Sequence, residues 1–343
     1  MPNSTSAHFR PQWTPEMSRL GKPFQEVWFF KLNHPTRPQA LWLRWTLLTS
    51  ENGFRKTAEV WAILFNRTES ETQKTALKQS FEISQFLVKP GGSIQIGSSE
   101  LAPTSTVGKV EGMGKTLSWN LQFKPRTETT VSFSLVPEAL QRAGIAKNEA
   151  IAVHEDLLAT GTCELNGVRF EWDHAVAMLG HITGPRNGHS WVWAHCNQFQ
   201  DESGKPSDVL FDGITGRARV PVIGKTPALS TFLFRYRGDV YRFDTVWDAL
   251  RARSVLSTMG WSFQADRGDL SFRGQIRSEA RDFAGVTYED TDGTFLYCSN
   301  TKLAAMDLQI YRSGKLEASY RSPHGAAFEI VSRSKNPYVP LMI

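Results

Sequence analysis

The sequence predicts an all-β protein made of two antiparallel β-barrel or β-sandwich domains with few short helices. Three observations carry this prediction. The 11 Trp and 21 Phe residues fall largely in short runs of alternating polar and apolar character, which are typical of strands. Turn-forming Gly, Pro, Asn and Asp residues separate these runs. At 343 residues, the chain also exceeds the length at which one hydrophobic core usually stops growing.

The first strands are expected in residues 26–32, 40–47 and 58–65, three apolar and aromatic runs joined by short segments rich in turn residues. Consecutive runs at this spacing predict an antiparallel meander. Runs of similar length continue to the end of the chain without a fixed sequence period, which disfavours a propeller or a solenoid.

Helices are expected only in residues 72–86, 137–142 and 245–257. The glycine- and proline-bearing segment 180–188 is the best candidate for a boundary between domains. We therefore expect an N-terminal β domain in residues 1–184 and a C-terminal β domain in residues 185–343.

Composition excludes several classes of protein. The net charge of +5 is spread thinly and includes no Lys/Arg block, so we expect no nucleic-acid partner. The three cysteines are far apart and form no C-x-x-C pair, which disfavours a disulfide framework or a zinc ribbon and favours the cytoplasm. No run of about 18 apolar residues occurs, so membrane contact is expected to be peripheral at most.

Common cofactor motifs are missing from the sequence. No nucleophile elbow, Walker loop or dinucleotide-binding glycine motif opens a helix, so hydride and phosphoryl transfer have no support and no cofactor is expected. Four histidines, His174, His181, His189 and His195, fall within 22 residues. Their spacing does not match paired ligands on a helix or a strand, so no metal site is expected either.

The segment 188–197 is the sharpest local feature. If it is a strand, period-two alternation places His189, Trp191, Trp193, His195 and Asn197 on one face and only small or aliphatic side chains on the other. Two indoles beside an imidazole and an amide suit either a core with satisfied hydrogen bonds or the wall of a pocket for an apolar ligand. The sequence leaves both open.

Two neighbouring strands offer further candidates. Glu171 and Asp173 alternate with apolar residues, which usually means a solvated outer face, whereas His174 is expected among the apolar set, where an imidazole could act as an acid or a base. Arg44 shares a face with Trp42, so its guanidinium could stack on an indole ring.

The motif Trp191-x-Trp193-x-His195-Cys196-Asn197 resembles the W-x-W-x-Q-C-N segment of tocopherol cyclases and of the wider AttH-like and hydroxyneurosporene synthase (carotenoid hydratase) superfamily. Residues 41–46, 288–293 and 298–300 are also similar to that group. The sequence departs from the pattern in two ways: the tryptophan expected between Asn187 and Gly188 is missing, and His195 stands where the cyclases carry glutamine.

The resemblance implies two lipocalin-like β domains with an apolar pocket in or between them. It also implies reactions in which a proton is delivered to an isoprenoid or polyene double bond, followed by cyclisation or hydration. On this reading Trp191, Trp193 and Trp42 line the pocket, and Asn197 and Arg44 orient the substrate. Acid candidates are His195, His189, His174, Glu171 and Asp173.

Two functions stay open at this stage. One is a cofactor-independent cyclase or hydratase, and the other is a non-catalytic, lipocalin-like carrier of a lipid or another hydrophobic small molecule. A catalyst must present an imidazole or a carboxyl group to the ligand, whereas a carrier needs only an apolar lining. If His195 is catalytic, replacing it with alanine is expected to abolish turnover with little loss of thermal stability.

Overall fold

The structure is a computed structural model of the chain and describes residues 8–128, 131–144, 146–220 and 224–343. Strands make up 62% of it and helices 7%, which confirms the all-β prediction. Within these residues the α-helices are short: α1 (Pro15–Arg19), α2 (Glu138–Arg142) and α3 (Val246–Arg251). None of the helices in the described ranges is long and apolar enough to cross a membrane.

The first half of the chain forms one antiparallel sheet, in which β4, β3, β2, β1, β12, β11, β9, β8, β7, β6 and β5 are neighbours in that order and β10 pairs with β11. Its strands are β1 (Phe24–Asn33), β2 (Gln39–Thr49), β3 (Lys56–Arg67), β4 (Thr72–Glu82), β5 (Phe86–Val88), β6 (Ile94–Ile96), β7 (Ser99–Leu101), β8 (Ser105–Gly112), β9 (Lys115–Pro125), β10 (Phe133–Ser134), β11 (Glu149–Leu165) and β12 (Val168–Gly184). The predicted meander is confirmed in β1 to β3.

The second half forms another antiparallel sheet, in the order β18, β17, β14, β13, β24, β23, β21, β20, β19, with β22 paired to β23. Its strands are β13 (Ser190–Cys196), β14 (Leu210–Arg217), β17 (Leu229–Tyr236), β18 (Asp239–Phe243), β19 (Arg253–Leu256), β20 (Gly260–Arg267), β21 (Leu270–Arg277), β22 (Ala284–Glu289), β23 (Phe295–Arg312) and β24 (Lys315–Ser332). A separate ribbon joins β15 (Arg219–Val220) to β16 (Gly224–Lys225). One of the two large sheets curls into a nearly closed barrel.

Two of the three helix predictions need correction. Residues 72–82 form strand β4, which pairs with β3 along its whole length. Its neighbours Ala76 and Leu77 are both buried, on opposite faces, so pairing and two-sided burial outweigh local helix propensity. The segment 245–257 is helical only as far as Arg251, after which β19 begins. The helix expected in residues 137–142 is confirmed as α2.

Alternation along the strands creates three buried layers. On β1, Trp28 and Phe30 point into the core of the first sheet, whereas Phe29 and Lys31 point towards the second sheet. On β13, Ala194 points into the core of the second sheet. We call the layer in which the two sheets face each other the intersheet layer; its apolar part includes Phe29, Trp42, Trp61, Trp193, Leu233 and Tyr288.

The chain crosses from one sheet to the other between β12 and β13. Asn187 fixes this crossing, because its backbone N–H donates to Asp290 Oδ1 at 2.9 Å and its side-chain amide donates to Gln25 Oε1 at 2.8 Å. The crossing is thus held by both sheets at one edge of the intersheet layer. We propose that the predicted boundary at 184/185 separates two domains, one for each sheet.

Candidate functional site

The structure places the predicted binding residues in the intersheet layer. Trp193 and His195 lie at alternate positions of β13, Asn197 follows directly after it, and all three face the first sheet. The Trp193 ring, for example, packs edge to face against the Phe29 ring of β1, with ring centres 5.7 Å apart. Trp42 and Arg44 lie on β2 and face the second sheet. Side chains far apart in the sequence therefore meet in one layer, between the two cores rather than inside either of them.

The chemical centre of this layer is a pair of carboxyl groups, Glu155 on β11 and Asp212 on β14, both fully buried. Burial is the main cause that raises the pKa of Glu155 well above its usual value, and the charge of Asp212 raises it further. Burial also raises the pKa of Asp212 to about 7. Two ionised carboxylates only accept hydrogen bonds and repel each other. If one of the two groups is protonated, it can donate a hydrogen bond to the other. The pair therefore holds a proton near neutral pH.

Strand irregularities bring Glu155 into this position. The pairing of β11 with β12 shifts register between Ala152 and His154 and again between His154 and Leu157. A β-bulge re-aims the side chains next to it, so both Glu155 and its neighbour Asp156 reach residues of the second sheet. On the other side, the Trp193 indole N–H donates to Asp212 Oδ1 at 2.8 Å and holds that carboxyl group in place.

His195 lies against Glu155. Its Nε2–H donates to the Glu155 backbone oxygen at 2.9 Å, and the same nitrogen is 3.3 Å from Glu155 Oε2. Burial, followed by the charge of Lys31, lowers the pKa of His195 well below its usual value, so the imidazole is neutral. Its Nδ1 lone pair then points into the layer and accepts no hydrogen bond from the described residues. At neutral pH His195 therefore has no imidazolium proton to donate, and its Nδ1 is a hydrogen-bond acceptor.

Lys31 is a fully buried cation beside this group. Its ammonium donates to Asn33 Oδ1 at 3.1 Å and to Asn197 Oδ1 at 3.2 Å, and within the described ranges it has no carboxylate within 4.0 Å. Burial lowers its pKa to about 8, so it is still charged at neutral pH. The Asn197 amide also donates to Asp156 Oδ1 at 3.1 Å and thereby links the lysine to the acidic side of the layer.

Asp156 itself is engaged by an arginine. Arg235 Nη2 forms a short ion pair with Asp156 Oδ2, and Arg235 Nε donates to the Asp208 backbone oxygen at 2.9 Å. Because its charge is already balanced in this way, Asp156 is a structural anchor and not a second acid of the site.

Stacked rings and cations form the other end of the layer. The Arg44 guanidinium lies 4.2 Å from the centre of the Tyr288 ring and 5.1 Å from that of Trp61. The Trp191 ring is nearly parallel to the Tyr288 ring, with the two ring centres 6.5 Å apart. Arg44 therefore stacks on aromatic rings, as the sequence suggested, but these rings belong to Tyr288 and Trp61 and not to Trp42. Such faces attract positive charge, including a carbocation.

Trp42 and Trp193 share a different cation. The Lys302 ammonium lies 5.2 Å from the Trp42 ring and 5.5 Å from the Trp193 ring, and it pairs with Glu329 at 2.9 Å. The indole rings are therefore packed against neighbouring side chains and do not line open space. Two clefts, of about 250 and 230 Å³, lie elsewhere on the molecule.

The closed layer nevertheless contains polar atoms that the described residues leave without hydrogen bonds. Apart from the carboxyl pair, they include His195 Nδ1, Arg235 Nη1 and Tyr288 OH. Buried polar groups in native proteins almost always have partners, and leaving one unpaired costs about 1–3 kcal/mol. Unpaired atoms gathered in one layer therefore indicate a place for water or for polar groups of a ligand.

Four of the sequence-based acid candidates lie outside this cluster. His174 was expected among apolar residues, and that expectation is wrong: it is exposed and pairs with Asp173 at 2.6 Å. The physical reason is a bulge, because His174 has a φ of 52° and the register shifts beside it, which reverses the alternation. Glu171 is exposed as well and pairs with Arg169. Glu171, Asp173 and His174 lie near the turn between β11 and β12, whereas the fourth candidate, His189, lies elsewhere.

His189 precedes β13 at the end opposite His195. It is half-buried, and its Nδ1 lies 3.1 Å from Ser190 Oγ. Burial first, and then the charges of surrounding lysine and arginine side chains, lower its pKa. Like His195, it has no imidazolium proton to donate at neutral pH, and it is not part of the carboxyl cluster.

Sequence reasoning missed Glu155, Asp212 and Lys31. One signal was available for Asp212 and Lys31, since each is a lone charged residue within a mainly apolar stretch: L-F-D-G-I around Asp212 and F-F-K-L-N around Lys31. Glu155 lacks this signal, because His154 and Asp156 flank it. Charged residues are almost never fully buried unless they serve a specific contact. Among the residues placed by the structure, no three His, Cys, Asp or Glu side chains are grouped to hold a metal ion.

Comparisons with known proteins agree with this fold. A protein described as AttH from Nitrosomonas europaea has 12% identity and a TM-score of 0.50, and the alignment covers 99% of each chain. CghA has 10% identity and a TM-score of 0.56 over 91% of this chain and 89% of its own, and CghA with Sch210972 has 10% identity and a TM-score of 0.53 over 91% and 90%. A search of curated proteins finds no match.

The sequence profile of one family matches the central part of the chain. The match spans residues 100–328, which include β11, β13, β14 and therefore the carboxyl pair and the histidine beside it. It covers more than half of the chain. The protein belongs to the tocopherol cyclase-like family.

Proposed function

We propose that the protein is a cofactor-independent cyclase or hydratase that protonates a double bond of an apolar isoprenoid or polyene substrate bound in the intersheet layer. The observation that carries this proposal is the buried Glu155–Asp212 pair, which holds one proton beside an aromatic wall. A general acid works best when its pKa lies near the working pH, and burial has raised the pKa of Asp212 to about 7.

The first step is proton transfer. The proton shared by Glu155 and Asp212 moves to one carbon of the double bond, forming a C–H bond and leaving a carbocation on the adjacent carbon. The pair becomes fully ionised and attracts that cation. The Trp193 indole, already hydrogen-bonded to Asp212, presents an aromatic face within the same layer.

The second step captures the cation. An internal hydroxyl gives a ring and water gives an alcohol, and in both cases the oxygen loses a proton after the C–O bond forms. His195 Nδ1 is an unoccupied acceptor within the layer, and its imidazole contacts Glu155, so the proton can return to the carboxyl pair. Acid and base are thus restored, and no redox partner is required.

Substrate binding requires the layer to open, because the indole rings are packed in this structure. The polar atoms without partners favour such opening, since water or a substrate hydroxyl would satisfy them. Arg44 and Lys31 are positioned to bind the polar end of a substrate. Neither has an ionic partner among the described residues.

Isotope incorporation tests the reaction. The purified protein is first extracted and its apolar contents identified by mass spectrometry; the recovered compound, an acyclic carotene and a prenylated hydroquinone are then incubated with protein in D₂O. A catalyst of this kind puts one deuteron on carbon, and the product mass shows whether water was added. Asp212→Asn and Glu155→Gln should abolish incorporation, whereas the exposed Asp239→Asn should retain it.

A carrier gives a different result in the same experiment. It releases a bound apolar molecule unchanged, and no deuterium appears with the wild type or any variant. This outcome would contradict the proposed catalysis.

We also propose that the protein works in the cytoplasm. Cys163, Cys196 and Cys298 are free thiols, and all three are buried. Free cysteines are the usual state in a reducing compartment.

A further inference from the structure

Large apolar side chains are exposed together in residues 246–256, which comprise α3 and β19 and are called the exposed segment below. Trp247 is 70% exposed and Leu250 is 53% exposed, and Val255 and Leu256 are exposed as well. The helix is held from its other side by buried Ala249 and by a capping box at its first turn. Exposed apolar groups collected in one place usually mark a contact surface.

The charges of the exposed segment indicate the kind of partner. Arg251 and Arg253 are exposed, and in the part of the chain that the structure describes neither forms an ion pair. The acidic residue of the helix, Asp248, is already engaged by Arg267. Tryptophan and leucine flanked by free arginines are typical of segments that lie on anionic bilayers.

The exposed segment also lies near one end of the intersheet layer. Thr215 on β14 donates to Ser254 on β19 at 2.9 Å, and the next residue, Gly216, pairs with Trp191. The edge that carries the exposed side chains is therefore close to the outermost tryptophan of the candidate site.

We propose that the exposed segment docks the protein onto a bilayer surface that contains anionic lipids. Trp247 and Leu250 enter the boundary between head groups and acyl chains, and Arg251 and Arg253 bind lipid phosphates. This docking does not depend on the reaction. It would, however, bring the intersheet layer close to the phase in which apolar substrates dissolve.

Vesicle flotation of the full chain tests the proposal. The wild type should float with vesicles of phosphatidylcholine and phosphatidylglycerol and bind phosphatidylcholine alone much more weakly. Replacing Trp247 and Leu250 together with serine should lower binding at least about tenfold. Replacing Arg251 and Arg253 with glutamine should lower binding to the anionic vesicles by about thirtyfold and leave the weak binding to neutral vesicles unchanged.

Leu87 provides a matched control, because it is 52% exposed but lies on β5 of the first sheet, whereas β19 of the exposed segment belongs to the second. Leu87→Ser should float like the wild type, and all variants should keep the wild-type melting temperature. Equal binding to both vesicle types, or full binding by the Trp247/Leu250 variant, would overturn the proposal. The proposal would also be overturned if the wild type is a dimer that does not float and the Trp247/Leu250 variant is a monomer, because the exposed segment would then bind a second copy of the chain.

Discussion

Replacing Asp212 with asparagine should change how stability depends on pH. In the unfolded chain an aspartate ionises near its usual pKa of 3.8, whereas in the folded protein Asp212 keeps its proton up to about pH 7. The folded state therefore binds more protons between these values, and the free energy of unfolding falls as pH rises through that window. A difference of about three pKa units corresponds to about 4 kcal/mol.

Asparagine cannot ionise, so it removes this penalty while keeping the size of the side chain. We expect the difference in unfolding free energy, Asp212→Asn minus wild type, to be about 4 kcal/mol larger above pH 7 than at about pH 4. Urea denaturation at a series of pH values measures it, with m-values checked for constancy. His195, whose pKa is lowered, destabilises the fold as pH falls, but it is present in both proteins and its effect cancels in the difference.

Asp239→Asn is the matched control, because Asp239 is an exposed aspartate on the same sheet. Its stability curve should run parallel to that of the wild type. If the curve of Asp212→Asn is parallel as well, Asp212 is ionised throughout the range and the reasoning about a shared proton is refuted.

Three further variants test other parts of the site. The free energy of unfolding of the wild type should rise by about 3 kcal/mol between about pH 8 and 10.5, because buried Lys31 loses its proton there before the unfolded chain does. Lys31→Met should lack this rise in urea denaturation. If the variant shows the same rise as the wild type, Lys31 is not a buried charged lysine. His195→Ala should destabilise the fold by about 1–3 kcal/mol in thermal unfolding, because it removes a fully buried ring and its bond to Glu155; a loss near zero would contradict this packing. Arg44→Leu should cost about 1–2 kcal/mol through its lost contacts with two aromatic rings, and an Arg44→Lys variant that is as stable as the wild type would show that a planar guanidinium is not needed.

The result expected for His195→Ala differs from the one suggested by the sequence. The sequence left open whether the residue lines an accessible pocket, in which case its removal costs little stability. In the structure the imidazole is fully buried and its Nε2–H is hydrogen-bonded, so activity and stability should fall together. Only the pH profile and isotope incorporation separate its chemical role from its packing role.

Most of the fold could be predicted from the sequence, because alternation of polar and apolar residues is typical of strands that bury one face. The strands β1 to β3 and the β13 alternation are examples. Residues 72–82 were predicted as a helix because the pairing with β3 that makes them a strand involves residues distant in the sequence. Local propensity does not contain that information.

The candidate site was only partly accessible. The motif in β13 identified the side of the layer that carries Trp193, His195 and Asn197. The opposite side depends on two bulges in β11 that turn Glu155 towards His195, and on the packing of two sheets that no local pattern specifies. The same kind of irregularity, at His174, reversed the face expected for that residue. Bulges break the period-two rule on which the sequence argument depends.

Infrared spectroscopy tests the central claim most directly, because a protonated carboxyl group has a C=O stretch distinct from that of a carboxylate. At neutral pH the wild-type protein should show this band, shifted by exchange into D₂O, and Asp212→Asn and Glu155→Gln should each shift or weaken it. A wild-type spectrum with no protonated carboxyl band at neutral pH, or a band that is unchanged in both variants, would contradict a proton held between Glu155 and Asp212.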